Sequence, residues 1–264
     1  MAESAKVDPV IFEGFHAMRS VICGAEASVT GRRVNAVYFD REKLPKKQYE
    51  YAWLKEKAKT DGFDLILADA QEIAVLASTS THGGIVGLAS PRENVGAERL
   101  SALLAGGKLG RIIFAAEGVE DPYNLGFLLR SVYAFGCDTV LLPPAVRFGA
   151  DSVVCRASAG ASERMYLSFS DFREAIPLFR AAHYRILAAG EKNAVSLEDA
   201  DLALPLVVVI GGEKRGLSSS LLSLCDGVVR IDYARPVFAS LSAASAAAVL
   251  SYEIARRNGL IRKS

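Results

Sequence analysis

Residues 111–136, RIIFAAEGVEDPYNLGFLLRSVYAFG, constrain the chain more than any other stretch. An apolar run over residues 111–116 has the character of a buried strand. A polar turn follows over 117–122, and Leu125, Leu128, Leu129 and Val132 then fall on one side of a helix. Asp121 is placed to cap that helix and Pro122 to occupy its first position. A strand running through a short turn into a capped helix is the unit of open α/β sheets, which carry their chemistry at the carboxyl ends of the strands. The turn therefore sets Asn124 near a strand end, with Arg130 further along the helix.

The rest of the chain alternates in the same way. Residues 34–39, 65–68, 139–142, 165–169, 185–189, 206–210 and 228–231 read as strands. Residues 10–30, the stretch around Tyr49, Trp53, Leu54 and Lys57, and residues 69–77, 97–104, 171–182, 218–225 and 241–257 read as helices, with a bend at Pro177. The pattern implies an α/β fold with a mostly parallel sheet covered by helices. Pro91, Gly96, Gly106, Gly107 and Gly110 mark a connection. The expected organisation is a small α/β domain over 1–91, a linker over 92–109 and a second domain over 110–264.

At 264 residues, 51% of them hydrophobic, the chain can bury one large core or two modest ones. The formal net charge of +1 commits it to no class of partner. Residues 1–60 carry an excess of Lys and Arg, which the acids of residues 61–90 reverse; these charges form either a basic patch or an ordinary solvated surface. Cys23, Cys137, Cys155 and Cys225 form no CxxC pair, and His16, His82 and His183 have no metal-ligand spacing. Free thiols in a reducing compartment and no metal are expected. No signal peptide or membrane-length apolar run stands out, which suggests a cytoplasmic protein with no membrane partner.

Three constellations could carry chemistry. In the first, Arg130 follows Asn124 by six residues; its donor fork suits phosphate or carboxylate, although an exposed arginine also suits a surface ion pair. The second, VIGGEKRGLS at 209–218, runs a buried strand into a glycine-dense turn around Glu213. It fits neither the dinucleotide nor the P-loop spacing, leaving a close backbone approach to a ligand or a plain tight turn. The third, residues 233–259, begins with Ser240, Ser242 and Ser245 and continues into an alanine-rich helix suited to core packing or a dimer seam. Ser240 on its own reads more readily as a cap than as a catalyst.

Together these stretches resemble the SpoU/TrmH family of RNA ribose 2′-O-methyltransferases, in the SPOUT superfamily. DPYNLGFLLRSVYAFG (121–136) is similar to the first family motif, IGGEKRGLS (210–218) to the second and IDYARPVFASLSAASAAAVLSYEIARR (231–257) to the third; SAGAS (158–162) resembles a further family stretch. Where the family usually has SLNVS, this chain has Ser240-Leu241-Ser242-Ala243-Ala244. Residues 1–91 resemble an L30e-like RNA-binding domain. The resemblance implies a SPOUT domain with a deep trefoil knot, a homodimer through the C-terminal domain and S-adenosylmethionine as donor. The implied cofactor residues are Ala188, Ala189, Gly190, Ile210, Gly211, Gly212, Gly216, Leu217, Ile231, Ser240 and Leu241. Arg130 is implied to serve the ribose hydroxyl, with Asn124, Glu213, Ser240 and Ser242 positioning groups around it. Arg32, Arg33, Lys43, Lys46, Lys47 and His82 are candidate RNA contacts. Structured RNA is the implied partner, ribosomal RNA ahead of transfer RNA. The competing readings are a weakly active or non-catalytic RNA-binding relative and a small-molecule α/β enzyme.

Overall fold

A computed structural model describes residues 8–144, 150–212, 215–236 and 240–262. The chain divides into two compact units. Residues 8–93 and 150–164 form the first, residues 94–144 and 165–262 the second.

The first unit opens with β1 (Val10–Glu13), α1 (Phe15–Glu26), β2 (Val34–Asp40), α2 (Gln48–Asp61), β3 (Asp64–Ala68), α3 (Ala70–Leu76) and β4 (Ile85–Ala89). Its sheet has the order β1-β4-β2-β3; β4 runs antiparallel to both β1 and β2, and β3 parallel to β2. The helix expected over 10–30 is therefore shorter. Residues 10–13 pair with β4 instead, and Gly14 at φ +87°, a backbone conformation disfavoured for residues with a Cβ, breaks the chain between strand and helix. Phe12, Met18, Ile22, Phe39, Leu54 and Ile85 fill the core.

The second unit begins with α4 (Ala97–Ala105), β5 (Ile112–Glu117), α5 (Pro122–Ala134) and β6 (Thr139–Leu142). The chain then contributes α6 (Asp151–Ala157) and a 3-10 turn (Ala161–Arg164) to the first unit. It continues in the second with β7 (Tyr166–Phe169), α7 (Phe172–Ala181), β8 (Arg185–Ala189), β9 (Val195–Ser196), β10 (Leu206–Gly211), α8 (Ser219–Leu222), β11 (Gly227–Arg230) and α9 (Ala243–Arg257). The sheet order is β7-β6-β5-β10-β8-β11-β9, with every neighbouring pair parallel. Residues 112–116 and 206–210 are buried throughout, as strands covered on both faces require. The helix through Pro177 remains continuous.

Two boundaries differ from the sequence reading. Residues 94–109, read as linker, belong to the second unit because Val95, Leu100 and Leu109 enter its core. Residues 150–164, read within the second domain, pack in the first, where Glu163 is buried among arginines.

Candidate active site

The site lies where β5, β10, β8 and β11 end. Their carboxyl ends are brought level by the register that pairs Gly211 with Glu117, Val209 with Ala188 and Val229 with Ala189. Glu117 accepts hydrogen bonds from the Ser218 amide and hydroxyl, both at 2.8 Å, and so ties the loop after β10 to the end of β5. Between these anchors the loop folds back on itself, with Gly216 N–H donating to the Gly212 carbonyl at 3.0 Å. Gly212 lies against Gly118; a Cβ there would stand 2.1 Å from the Gly118 carbonyl oxygen, so only glycine permits this approach. The loop after β11 is held by Arg230, which donates to Asp232 at 2.7 Å, and by the Leu241 amide, which donates to the Tyr233 hydroxyl at 3.3 Å. Hydrogen bonding from Ser196, supported by Arg230, holds the Asp232 carboxyl below its ordinary range.

These loops enclose a cavity of about 380 Å³. Of the eleven expected cofactor residues, nine line it: Ala189, Gly190, Ile210, Gly211, Gly212, Gly216, Ile231, Ser240 and Leu241. The other two do not. Ala188 is buried inside the sheet, and Leu217 packs on the core beneath. The lining also includes Glu191, Lys192, Val229, Tyr233, Ala243 and Ala246. Of these, Glu191 and Lys192 were foreshadowed by their place directly after the strand that ends at Ala189.

Asp121 caps α5, accepting from the Asn124 amide at 2.8 Å, with Pro122 at the first helical position. Asn124 is half-buried and lines a smaller cavity of about 180 Å³ that shares Gly212 and Ala243 with the first. Arg130 is exposed and lines neither cavity. Six residues separate it from Asn124, about 9 Å along the axis and on another face of the helix. Ser240 reaches the larger cavity, whereas Ser242 caps α9: its hydroxyl accepts from the Ser245 amide at 3.1 Å and donates to the Ser245 hydroxyl at 3.0 Å. The cap expected at Ser240 thus lies two residues on. Glu213 lies outside the described residues.

The candidate RNA contacts fall in the first unit, and one is corrected. Arg32 has a fully buried side chain, donating to Glu163 at 2.9 Å, to Asp151 at 2.7 Å and to the Ser90 carbonyl at 2.9 Å. With its donors engaged inside the protein, it has no fork to offer a phosphate. Arg33, Lys43 and Lys46 are exposed, and Lys47 is half-buried. His82 is half-buried, and its Nδ1 accepts from the Gly84 amide at 3.0 Å. Among the described residues no cluster of His, Cys, Asp and Glu could hold a metal, and no helix is long and apolar enough to cross a membrane.

The family model of the SpoU rRNA methylases matches residues 111–252, spanning both the β5–α5 unit and the loops around the cavity. The chain belongs to the SpoU rRNA methylase family. Within this SpoU/TrmH branch of the SPOUT superfamily, the 23S rRNA (guanosine-2′-O-)-methyltransferase RlmB of a Burkholderia species is 28% identical over 248 residues, covering 94% of this chain and 96% of its own. Among solved structures of the fold, the AdoMet-bound rRNA methyltransferase of Sinorhizobium meliloti superposes with a TM-score of 0.76 at 20% identity, covering 97% of this chain and 89% of its own. The SpoU methyltransferase AviRb of Streptomyces viridochromogenes, in complex with AdoMet, gives 0.71 at 19% identity, covering 97% and 92%.

Proposed function

We propose that this chain transfers the methyl group of S-adenosylmethionine to a ribose 2′-hydroxyl of ribosomal RNA. The observation that carries this reading is the cavity of about 380 Å³ built by the loops after β8, β10 and β11, within the range of small-molecule sites. Its donor set suits the cofactor. Backbone groups of Gly190, Ile210, Ile231 and Leu241 can meet an adenine edge, the Ser240 and Tyr233 hydroxyls a ribose, and Lys192 and Glu191 the carboxylate and ammonium of an amino acid. When bound, that group supplies a methyl on a sulfonium, activated for attack by oxygen.

The chain's own residues do the positioning. Asn124, in the cavity that meets the cofactor cavity at Gly212, is proposed to orient the acceptor ribose, with Ser240 acting from the cofactor cavity and Glu213 assigned to the same task by its motif alone. The proton that leaves the 2′-hydroxyl passes to an RNA phosphate oriented by the donor fork of Arg130, a side chain with no acceptor of its own. Its exposed position fits a second copy. Tyr123, Phe127 and Arg130 recur at helical spacing on one stripe of α5, and Val249 and Tyr252 are exposed on α9, against which α5 packs. A homodimer through these helices would carry Arg130 into the partner's site. The parallel order β5-β10-β8 is compatible with the deep trefoil knot that the family resemblance implies. The first unit is proposed as an L30e-like RNA grip using Arg33, Lys43, Lys46 and Lys47, with the protein in the cytoplasm.

Calorimetric titration with S-adenosylmethionine tests the reading. One site per chain is expected, abolished by Gly212→Ala, whose methyl would push the loop off Gly118. Saturable binding followed by methylated ribose in ribosomal RNA supports it; absence of binding at millimolar cofactor refutes it. A weakly active RNA-binding relative is favoured by one feature, the use of the Ser242 hydroxyl as a cap, and cofactor binding with no methylated ribose is its signature.

A further inference from the structure

Beside the cofactor cavity, and sharing Gly212 and Gly216 with it, lies a larger cavity of about 470 Å³. Glu117, Glu120, Arg215 and Ser218 are its polar walls. Glu120 also lines the cavity that Asn124 reaches, so the three spaces meet around Gly212. If a methyl leaves from the first space and Asn124 touches the acceptor, the rest of the acceptor nucleotide needs room next to both, and this cavity is that room.

Its charges are unusual in being uncommitted. Glu117 is held by Ser218, but Glu120 and Arg215 are exposed and make no ion pair or hydrogen bond among the described residues. A carboxylate and a guanidinium thus face one cavity without neutralising each other. An anion next to RNA is costly unless it meets donors, and a base edge supplies them.

We propose that this cavity takes the acceptor nucleotide turned out of its stack, with Arg215 on its phosphate and Glu120 reading a guanine base. The inference rests on the methyl-transfer reading above and adds the base to it. A carboxylate offers two acceptors side by side and no donor. Guanine alone sets two donors together on its pairing edge, the ring N1–H and the exocyclic amine. Adenine and cytosine place their amine beside a ring nitrogen acceptor, and uracil flanks its one donor with two carbonyls, so a carboxylate is repelled by part of each edge. Extruded bases are read on this edge.

The test is equilibrium binding of guanosine, inosine and adenosine 5′-monophosphates to the full chain saturated with S-adenosylmethionine. Inosine lacks only the exocyclic amine. Guanosine monophosphate is expected to bind roughly tenfold tighter than either competitor, the value of one good bidentate pair. Glu120→Gln should remove most of that preference, because its amide turns one acceptor into a donor. Arg215→Ala should weaken all three nucleotides alike and keep the preference. Both variants should bind S-adenosylmethionine as the wild type does, which shows that the loop is intact. Cofactor binding without a guanine preference, or a preference that survives in Glu120→Gln, overturns the nucleotide subsite and leaves the methyl-transfer reading standing. Failure of the wild type to bind S-adenosylmethionine overturns both.

Discussion

Arg32 shows how far one side chain can depart from what its type suggests. Two adjacent arginines, Arg32 and Arg33, precede a strand, and composition cannot separate them. The fold does, exposing Arg33 and burying Arg32 against Glu163 and Asp151. Burial works to raise the Glu163 carboxyl, but Arg92 and Arg32 outweigh it and hold the group below its ordinary value. A carboxyl depressed in the folded state stabilises the fold in full above its unfolded pKa of about 4.3, and that contribution is lost as pH falls towards the folded value. Urea unfolding from pH 6 down to pH 3 should therefore show a falling stability, with a shallower slope in Glu163→Gln; equal slopes would mean that Glu163 is not the titrating group. Arg32→Met leaves Glu163 short of a partner and should cost about 3–5 kcal/mol at neutral pH, the usual penalty for breaking a buried pair. An RNA-binding defect in that variant without any loss of stability would restore Arg32 to the surface.

At the scale of elements, the legible parts of the sequence are those decided locally. The unbroken apolar run of β10 and the Asp121-Pro122 start of α5 need no knowledge of the rest of the chain. β1 does need it: Ile11 keeps near-helical spacing with Phe15, Met18 and Ile22, and only pairing with β4, much later in the chain, makes residues 10–13 a strand. The same holds for Leu100, which sits in a glycine-flanked stretch that reads as linker until a core is there to receive it. The cavity followed the motif loops because glycines and strand ends mark them, whereas Tyr233 and Val229 enter it through the packing of those loops, which has no sequence period. Ser242 is a case of competing local roles, since Ser240 and Ser242 both precede α9 and either could cap it. With Ser242 as cap, Ser242→Ala should cost about 1 kcal/mol of stability. Its effect on cofactor affinity should be small, since Ser242 does not line the cavity. Ser240→Ala should do the reverse, lowering affinity with stability unchanged. Thermal unfolding and calorimetry on the two variants separate the roles, and an exchange of the two effects would place the cap at Ser240.

At the scale of the whole molecule, the position of Arg130 is the strongest reason to expect a second copy. A single chain gathers Asn124, Ser240 and the cofactor cavity at one edge of the sheet and leaves Arg130 exposed on another face of α5. On that face Tyr123 and Phe127 are about half exposed, at 53% and 48%, with Tyr252 at 47% on α9. Large apolar side chains at this spacing are a poor surface for a lone molecule and a good one for self-association. Sedimentation equilibrium should give twice the chain mass, and Phe127→Glu, which puts a charge into the seam, should give the single mass. The catalytic consequence is sharper than the association itself. If each site takes Asn124 from one copy and Arg130 from the other, Asn124→Ala and Arg130→Ala should each be inactive alone. Mixed in equal amounts and allowed to exchange, they form heterodimers as half of all dimers. Each heterodimer holds one site with both residues intact and one with neither, so about a quarter of the wild-type methylation rate should return. Recovery would require the two residues to meet across the seam. A mixture that exchanges subunits and stays inactive would place Asn124 and Arg130 in the same chain's site, and the exposed face of α5 would then need another partner.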